Sequence, residues 1–462
     1  MKKINSDSDD FQNINMIYDP NEQPNNTSNN SNYNGNNPQN DYIIFNSPNI
    51  PSQNEVQNLN RFSIIKNSVV LQPINSISLF NVLKDVGASI YYNFNKNPKF
   101  NEEKAALPIQ IFNTNISSKF KEKSELISAF NTVLYMTYRS SFPNLLLKNY
   151  LTEDVITSDN GWGCMIRSCQ MMLSKGILER KMYKYKRMKN VEEVYYMIML
   201  NLRKETLLLF YDNYVSLDKS ISHPDYQYFY DQFSYLVKED KTYQNILGVF
   251  PPFSIQTLCD VSKCAGNWTS DLKIIKAIIE INKQFMNEED CYIYFENGMI
   301  SEKKLFASFC KEKTQNSQNL NTLEYKGKLY TFVKGGLIFI SLRLGLSSIN
   351  IESIPTMRIF FCNMKNNIGF VGGRNGKAYY FIGFSEGKFM YLDPHFNQKA
   401  VDPEKDEGLS YYIKDVYLLE PSELSSQLTL GIVINNQTDL INFINDVNEF
   451  SIIDNNFISM TK

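Results

Sequence analysis

The chain has 462 residues, of which 43% are hydrophobic and 21% are charged, a composition typical of globular proteins. Because 47 Lys and Arg residues nearly balance 49 Asp and Glu residues, the net charge of −2 argues against a nucleic-acid partner. Seven cysteines do not suggest a disulfide framework, and only two histidines, His223 and His395, are available for His-dependent catalysis.

The beginning of the chain is rich in Asn, Ser, Gln and Pro and shows no secretory signal peptide. Such a composition buries too little apolar surface to offset the entropy of ordering, so residues 1–75 are predicted to be a disordered arm. We expect one globular domain over 76–453 and a short tail at 454–462. Within this domain a polar stretch predicts a mobile loop at about 311–326. The absence of a signal favours a cytoplasmic protein with free thiols.

The hydrophobic periodicity changes from helical to extended along the predicted domain. Apolar residues at helical spacing predict helices at 124–138, 165–177, 272–285 and, with Thr438 as the N-cap, 440–447. Strands are predicted at 336–344, 368–371, 379–384, 388–392 and 415–419, with a hairpin turn at 385–387. Helices followed by strands favour the α+β class, with a helical part and an antiparallel sheet part.

Cys164 is the candidate nucleophile. The segment SDNGWGCMIR places it directly after a Gly-Trp-Gly turn and at the start of a predicted helix. The free N–H groups and the positive dipole end of a helix stabilise a thiolate, which is the nucleophilic form of cysteine. The residues alone leave a second interpretation equally open, in which Cys164 is a small buried hydrophobic side chain.

His395 is the candidate general base, and Asp393 is the residue that would orient it. They share the segment YLDPH, and residues i and i+2 of an extended chain project to the same side. A carboxylate beside an imidazole fixes its tautomer and stabilises its charged form. A polar turn after a strand is the alternative. His223 has Asp225 at the same spacing, but its polar, Tyr-rich surroundings favour a surface turn.

The other cysteines and the basic run at 180–189 support weaker hypotheses. The pairs Cys164–Cys169 and Cys259–Cys264 have equal spacing, but a four-thiolate zinc site is not expected because Cys169 falls on the apolar stripe of a predicted helix. No metal and no cofactor are therefore predicted. The basic run would suit an anionic membrane surface, although a solvated helix face is the interpretation that we favour.

Eight separated blocks resemble the autophagins, the cysteine peptidases that process the ubiquitin-like modifier of autophagosome membranes. The blocks follow the family's order and together cover most of residues 124–449. They are TYRSSFP at 137–143, SDNGWGCMIR at 158–167, FSIQ at 253–256, NW at 267–268, LRLGL at 342–346, GFVGG at 369–373, YYFIGF at 379–384 and YLDPH at 391–395.

The resemblance implies a papain-like catalytic domain and a cysteine endopeptidase that cleaves after the C-terminal glycine of the modifier. It implies that the enzyme trims the modifier precursor and releases the modifier from phosphatidylethanolamine. In this family pattern Cys164 is the nucleophile, His395 the general base and Asp393 its orienter. Tyr138 matches a tyrosine that helps to hold the oxyanion; its alternative is an aromatic side chain on the buried face of a helix.

The resemblance also implies how substrate is bound. Trp268 matches a tryptophan that covers the cleft, with core packing as the alternative. The stretch 369–376, which includes Gly372 and Gly373, matches a loop that gates the cleft. The implied partners are the modifier and its lipid conjugate, with transient contact to a membrane surface, and the enzyme is expected to be a monomer.

Three departures and two other functions stay open at this point. Cys169 stands where the family usually has a smaller residue, and the N-terminal arm has no counterpart in the family. The stretch between the nucleophile helix and FSIQ is long, which predicts an insertion at about 180–245. Phe450 and Ile453 fit an aromatic-x-x-aliphatic motif by which partners add a strand to the modifier, but we favour Phe450 as a core residue. The alternative functions are a deubiquitinase-type peptidase of another ubiquitin-like substrate and a non-catalytic protein that binds the modifier.

Overall fold

The predicted domain is seen in a computed structural model of the chain. The residues that it describes are 98–100, 109–112, 114–116, 129–143, 145, 156–189, 195–213, 215–216, 248–285, 290–313, 322–402, 408–454 and 457–461. All of them belong to one unit, Pro73–Lys462. The predicted arm at 1–75, His223 and parts of the predicted insertion and mobile loop lie outside the described residues.

The described residues form helices and strands that alternate along the chain. The helices are α1 (Cys164–Lys189), α2 (Tyr195–Leu207), α3 (Ile255–Ser262), α4 (Asp271–Phe285), α5 (Glu302–Phe309), α6 (Ile354–Asn363) and α7 (Gln437–Ile453). The strands before α4 are β1 (Ile109–Ile111), β2 (Thr114–Ile116), β3 (Tyr138–Ser140), β4 (Val215–Ser216) and β5 (Gly248–Val249). The middle strands are β6 (Cys291–Phe295), β7 (Met299–Ser301), β8 (Cys310–Glu312), β9 (Thr322–Tyr325), β10 (Lys328–Phe332) and β11 (Gly336–Ser348). The last are β12 (Asn367–Arg374), β13 (Lys377–Ser385), β14 (Lys388–Leu392), β15 (Asn397–Lys399), β16 (Tyr417–Leu419), β17 (Ser425–Ile434) and β18 (Ser459–Thr461).

A nine-stranded sheet organises the fold. Its main path runs β16-β14-β13-β12-β17-β11-β6, with β1 paired to β13 and β2 to β1. The prediction of an antiparallel sheet is wrong for one pair, because β6 lies parallel to β11. This parallel pair requires a crossover connection, which a hairpin cannot supply.

Each face of the sheet is covered by its own hydrophobic core. The first core includes the apolar side chains of α1 and α4, and the second includes those of α6 and α7. Two glycines allow close approach on the first face. A Cβ at Gly176 would lie 2.7 Å from Leu337, and one at Gly431 would lie 2.6 Å from Ile368. The helix of the candidate nucleophile is therefore fixed tightly against the sheet.

Most predicted elements of the domain are confirmed. The five predicted strands are present, and the predicted turn joins β13 and β14 through Glu386 and Gly387, both with positive φ. This is the conformation that a two-residue hairpin loop needs. The last helix is also present, but Thr438 is not its N-cap. Asn436 caps it, because its side-chain oxygen accepts from the N–H of Asp439 at 3.0 Å.

Other predictions are wrong in part. Within the predicted helix at 124–138 only residues 129–131 are helical among those described, and Tyr138 begins β3. Long-range pairing with β15 overrides the local pattern there. The predicted mobile loop contains most of β8 and all of β9, and β18 lies in the predicted tail.

The basic run forms the last part of α1. Arg180 is 4% exposed, so the solvated-face interpretation is wrong for this residue. None of the described helices is both long enough and apolar enough to cross a membrane.

Candidate active site

Cys164 is the first residue of α1 and is 8% exposed. The turn before it depends on two glycines. Gly161 has a φ of +86°, a left-handed conformation that glycine adopts without steric cost. A Cβ at Gly163 would lie 2.3 Å from Oδ2 of Asp159, so the turn leaves no room for a side chain there. The Gly-Trp-Gly sequence thus places the thiol beside the free N–H groups of the helix N-terminus.

Asp393 and His395 follow directly after β14, which ends at Leu392. Oδ1 of Asp393 accepts hydrogen bonds from Nδ1 of His395 at 2.6 Å and from its backbone N–H at 3.0 Å. The Tyr135 hydroxyl donates to the backbone carbonyl of Asp393 at 2.6 Å and so holds this segment in place. Since Nδ1 is engaged by the carboxylate, the other ring nitrogen is left for the thiol of Cys164, with which His395 also forms a hydrogen bond.

The environment shifts the pKa values of the thiol and the imidazole in opposite directions. Burial alone would raise the pKa of Cys164, but the hydrogen bond and charge of His395 outweigh burial and lower it. Burial also opposes the charging of His395, whereas its hydrogen bonds with Asp393 and Cys164 raise its pKa to about 9. Both shifts favour a thiolate–imidazolium ion pair, the reactive form of a cysteine nucleophile.

Tyr138 is fully buried beside this pair. Its backbone N–H donates to the carbonyl of Pro394 at 2.9 Å, because β3 runs parallel to the chain just after His395. Its ring meets the imidazole edge-on, with the ring centroids 5.4 Å apart, and its hydroxyl forms a hydrogen bond with Cys164. A phenol in this position can donate to negative charge on the sulfur or on an oxygen beside it.

A buried ion-pair network supports the nucleophile, and the sequence interpretation missed it. Asp159 accepts from the backbone N–H of Arg139 at 2.6 Å and from Nε of Arg167 at 2.7 Å. Arg167 also donates to Asp212 at 2.7 Å. The network therefore joins β3 to the first turn of α1. Asp159 and Arg167 lie in the SDNGWGCMIR block, so the sequence could have indicated that they belong to the site. Nothing in the sequence connects Asp212 with them.

A cleft of about 280 Å³ opens over the thiol. Trp268 borders it, is 69% exposed and donates from its indole nitrogen to the carbonyl of Gly161 at 2.7 Å. The alternative of core packing is therefore wrong for Trp268. A Cβ at Gly376 would lie 3.5 Å from the indole ring, which is van der Waals contact, so the tryptophan lies close to the hairpin turn at 375–376 and both line the cleft. Asp271, Lys377 and Gln427 also line it.

Gly372 and Gly373 line the same cleft, but they do not belong to a loop. They lie in β12, and only the turn at 375–376 is outside a strand, which corrects the expectation for 369–376. A Cβ at Gly373 would lie 2.7 Å from the carbonyl oxygen of Lys377, and one at Gly372 would lie 3.3 Å from Leu424. The close approach of neighbouring chain segments is thus one reason for these two glycines.

The remaining cysteines are distributed through the fold. Cys169 is fully buried in α1, and burial raises its pKa well above the ordinary value, so its thiol is protonated and unreactive. The hydrogen bond from Cys259 lowers the pKa of Cys264 to about 7. Within the described residues, no group of three or more His, Cys, Asp or Glu side chains is arranged to hold a metal ion.

Sequence comparisons show which proteins this chain is similar to. The family model described as the Peptidase C54 catalytic domain matches residues 123–446. Cysteine protease ATG4B of Gallus gallus is 24% identical over 347 residues, which cover 73% of this chain and 79% of the relative. Cysteine protease ATG4D of Xenopus laevis is 27% identical over 295 residues, covering 60% of this chain and 57% of the relative. Cysteine protease ATG4A of Gallus gallus is 24% identical over 348 residues, which cover 70% of this chain and 77% of the relative.

Proposed function

Because the chain belongs to the Peptidase C54 family and is thus a cysteine peptidase with a papain-like α+β fold, we propose that it cleaves after the C-terminal glycine of a ubiquitin-like autophagy modifier. The observation that carries the proposal is the buried arrangement of Cys164, His395, Asp393 and Tyr138 under a narrow cleft. Its expected place of action is the cytoplasm, where the modifier and its lipid conjugate would be its partners.

In the first step, the Cys164 thiolate attacks the carbonyl carbon of the glycine at the scissile bond. His395, as the imidazolium, donates its proton to the leaving amine, and a thioester between Cys164 and the glycine remains. Asp393 stabilises the imidazolium and keeps its ring in position. The developing oxyanion would accept hydrogen bonds from the Tyr138 hydroxyl and from backbone N–H at the start of α1.

In the second step, water hydrolyses the thioester. His395 is now neutral and takes a proton from the attacking water, and the thiolate leaves from the tetrahedral intermediate. The products are the modifier with a free glycine carboxylate and the ion pair in its initial state. The same two steps would cleave the amide between the glycine and phosphatidylethanolamine, because only the leaving amine differs.

The shape of the cleft supports a glycine at the scissile bond. Trp268 and Gly376 line the same cleft of about 280 Å³ as Cys164, and a Cβ at Gly376 would already be in van der Waals contact with the indole ring. An extended chain without a Cβ passes a narrow channel more easily than one with side chains. Gly372 and Gly373 would add to this by keeping side chains out of the β12 wall.

A cleavage assay tests the proposal. A modifier with a C-terminal extension after its glycine is incubated with the wild-type chain, Cys164→Ala and, as a matched control, Cys362→Ala. Cys362 is exposed and is not among the residues that line the cleft. We expect cleavage by the wild type and the control, and none by Cys164→Ala, because the nucleophile is missing. A parallel reaction with ubiquitin carrying the same extension distinguishes a deubiquitinase-type enzyme.

Two outcomes would contradict the proposal. If ubiquitin is cleaved and the modifier is not, the substrate assignment is wrong. If the modifier binds but neither the wild type nor Cys362→Ala cleaves it, the chain is a binding protein and not a modifier peptidase.

A further inference from the structure

A second cavity lies at the opposite end of α1 from Cys164. It encloses about 800 Å³ and is bordered by the last turns of α1, by α5, by β8 and by residues 332–335. Arg180, at its base, is sixteen residues after Cys164, which corresponds to roughly 24 Å along the helix axis. The cavity is therefore separate from the cleft over the thiol.

The base of this cavity is rigid because Arg180 is held on several sides. Its guanidinium donates to Asp290 at 2.6 Å and to the backbone carbonyl and side-chain oxygen of Asn435 at 3.1 Å each. A Cβ at Gly335 would lie 2.4 Å from Nη1 of Arg180, so the glycine allows β11 to begin against the guanidinium. Arg180 is thus a buried part of the wall and keeps its orientation.

The lining of the cavity is strongly basic. Among the lining residues that the structure describes, five side chains are cationic and none is acidic: Arg180, Lys184, Arg187, Lys311 and Lys334. Asp290 is the carboxylate that contacts two of them, Arg180 at 2.6 Å and Lys184 at 3.3 Å. On β8 the neighbouring Glu312 forms an ion pair with Lys328 at 3.0 Å. Positive charge therefore exceeds negative charge at this surface, although the whole chain has a net charge of only −2.

We propose that this cavity binds a small molecule or headgroup that carries several phosphate groups. Arg and Lys side chains converging on one concave site are the usual protein partners of phosphate oxygens. The volume falls within the ~300–1,000 Å³ range of small-molecule sites and exceeds what a single phosphate needs. The Tyr183 side chain supplies an aromatic wall. The same chemistry is offered by a soluble polyphosphate and by the headgroup of a phosphorylated inositol lipid. The site is independent of the proposed peptidase activity.

Binding is tested with a soluble inositol trisphosphate by titration calorimetry, using the full chain. The test variant is Arg187→Glu with Lys311→Glu, and the charge-matched control is Lys365→Glu with Lys414→Glu. All four side chains are exposed, and the control pair does not line the cavity. We expect saturable binding to the wild type and the control, weakened by added salt. Binding to the test variant should be at least tenfold weaker, since two attractive charges become repulsive.

A second arm distinguishes the sources of phosphate. Co-sedimentation is measured with phosphatidylcholine vesicles with and without a phosphatidylinositol bisphosphate. If the soluble probe binds and these vesicles do not, the ligand is a free polyphosphate; if both bind and both are weakened in the test variant, it is a lipid headgroup. Failure of the trisphosphate to bind the wild type, or equal loss of binding in test and control variants, would overturn the proposal. Cleavage of the modifier by both variants is followed separately, so the two proposals can fail independently.

Discussion

Replacement of Asp393 by Asn isolates the electrostatic part of the site. An asparagine oxygen can still accept the backbone N–H of His395, and the Tyr135 hydroxyl can still donate to the backbone carbonyl of residue 393. The substitution therefore keeps most of the local geometry. It removes the negative charge that, together with Cys164, raises the pKa of His395 from 6.5 to about 9.

The size of the effect depends on pH in a way that the shifted pKa determines. A raised histidine pKa means that the imidazolium is present below about pH 9 and is lost above it. In Asp393→Asn we expect the pKa to fall toward its ordinary value of 6.5, because burial still opposes the charge and only Cys164 is left to favour it. At pH 8 about 90% of the wild-type imidazole is charged, against about 3% in the variant if its pKa falls fully to 6.5. At pH 6 the charged fraction of the wild-type imidazole is only about 1.3 times that of a variant with a pKa of 6.5.

We therefore expect the ratio of wild-type to variant kcat/KM to widen between pH 6 and pH 8, by up to about 20-fold. Poorer orientation of the imidazole would lower kcat/KM by the same factor at every pH, so this loss cancels when the two pH values are compared. The assay is cleavage of the extended modifier across this pH range, with Asp415→Asn as the control, because Asp415 is a partly exposed partner of Lys99. A ratio that stays constant with pH would refute the role assigned to the Asp393 charge.

Three further predictions concern the oxyanion, the cleft and the C-terminal helix. Tyr138→Phe should lower kcat by about 10²–10³ with little change in Tm, because it removes one donor to the oxyanion; an unchanged kcat would exclude that role. Trp268→Ala should raise KM without lowering Tm, since the indole is 69% exposed; a large drop in Tm in thermal unfolding would instead mean a packing role. Phe450→Ala should lower the free energy of unfolding by about 3–5 kcal/mol, whereas Ile452→Ala, at an 86% exposed position, should change it by less than about 0.5 kcal/mol. If Phe450→Ala keeps its stability in denaturant titrations and loses modifier binding, the aromatic-x-x-aliphatic motif is the correct interpretation.

Local features of the fold were predictable because their causes are local. The hairpin between β13 and β14 follows from a two-residue turn with Glu386 and Gly387, whose conformation depends on residues beside them. The start of α1 follows from the Gly-Trp-Gly turn and the apolar stripe after it. Asp393 and His395 are two residues apart, so an extended backbone is sufficient to bring their side chains together.

Features that depend on distant pairing were not predictable. The pattern around Tyr138 is helical, but β3 forms because it pairs with β15, more than 250 residues later. The same pairing places the Tyr138 ring against the imidazole. The N-cap of α7 was misplaced by two residues, since both Thr438 and Asn436 are good caps and only the backbone path distinguishes them.

By itself, the sequence indicated the candidate chemical groups of the site, because a Cys after a glycine turn and an Asp-Pro-His segment are each recognisable from a few adjacent residues. Only the tertiary structure decided how these groups act. It brings His395 to Cys164 across more than 200 residues, and it buries both so that their mutual hydrogen bond shifts their pKa values in opposite directions. It also turns part of a basic run into one wall of a cavity, by packing α1 against residues more than 100 positions further along the chain. Charge, burial and distance are properties of neighbours in space, which a chain acquires only when it folds.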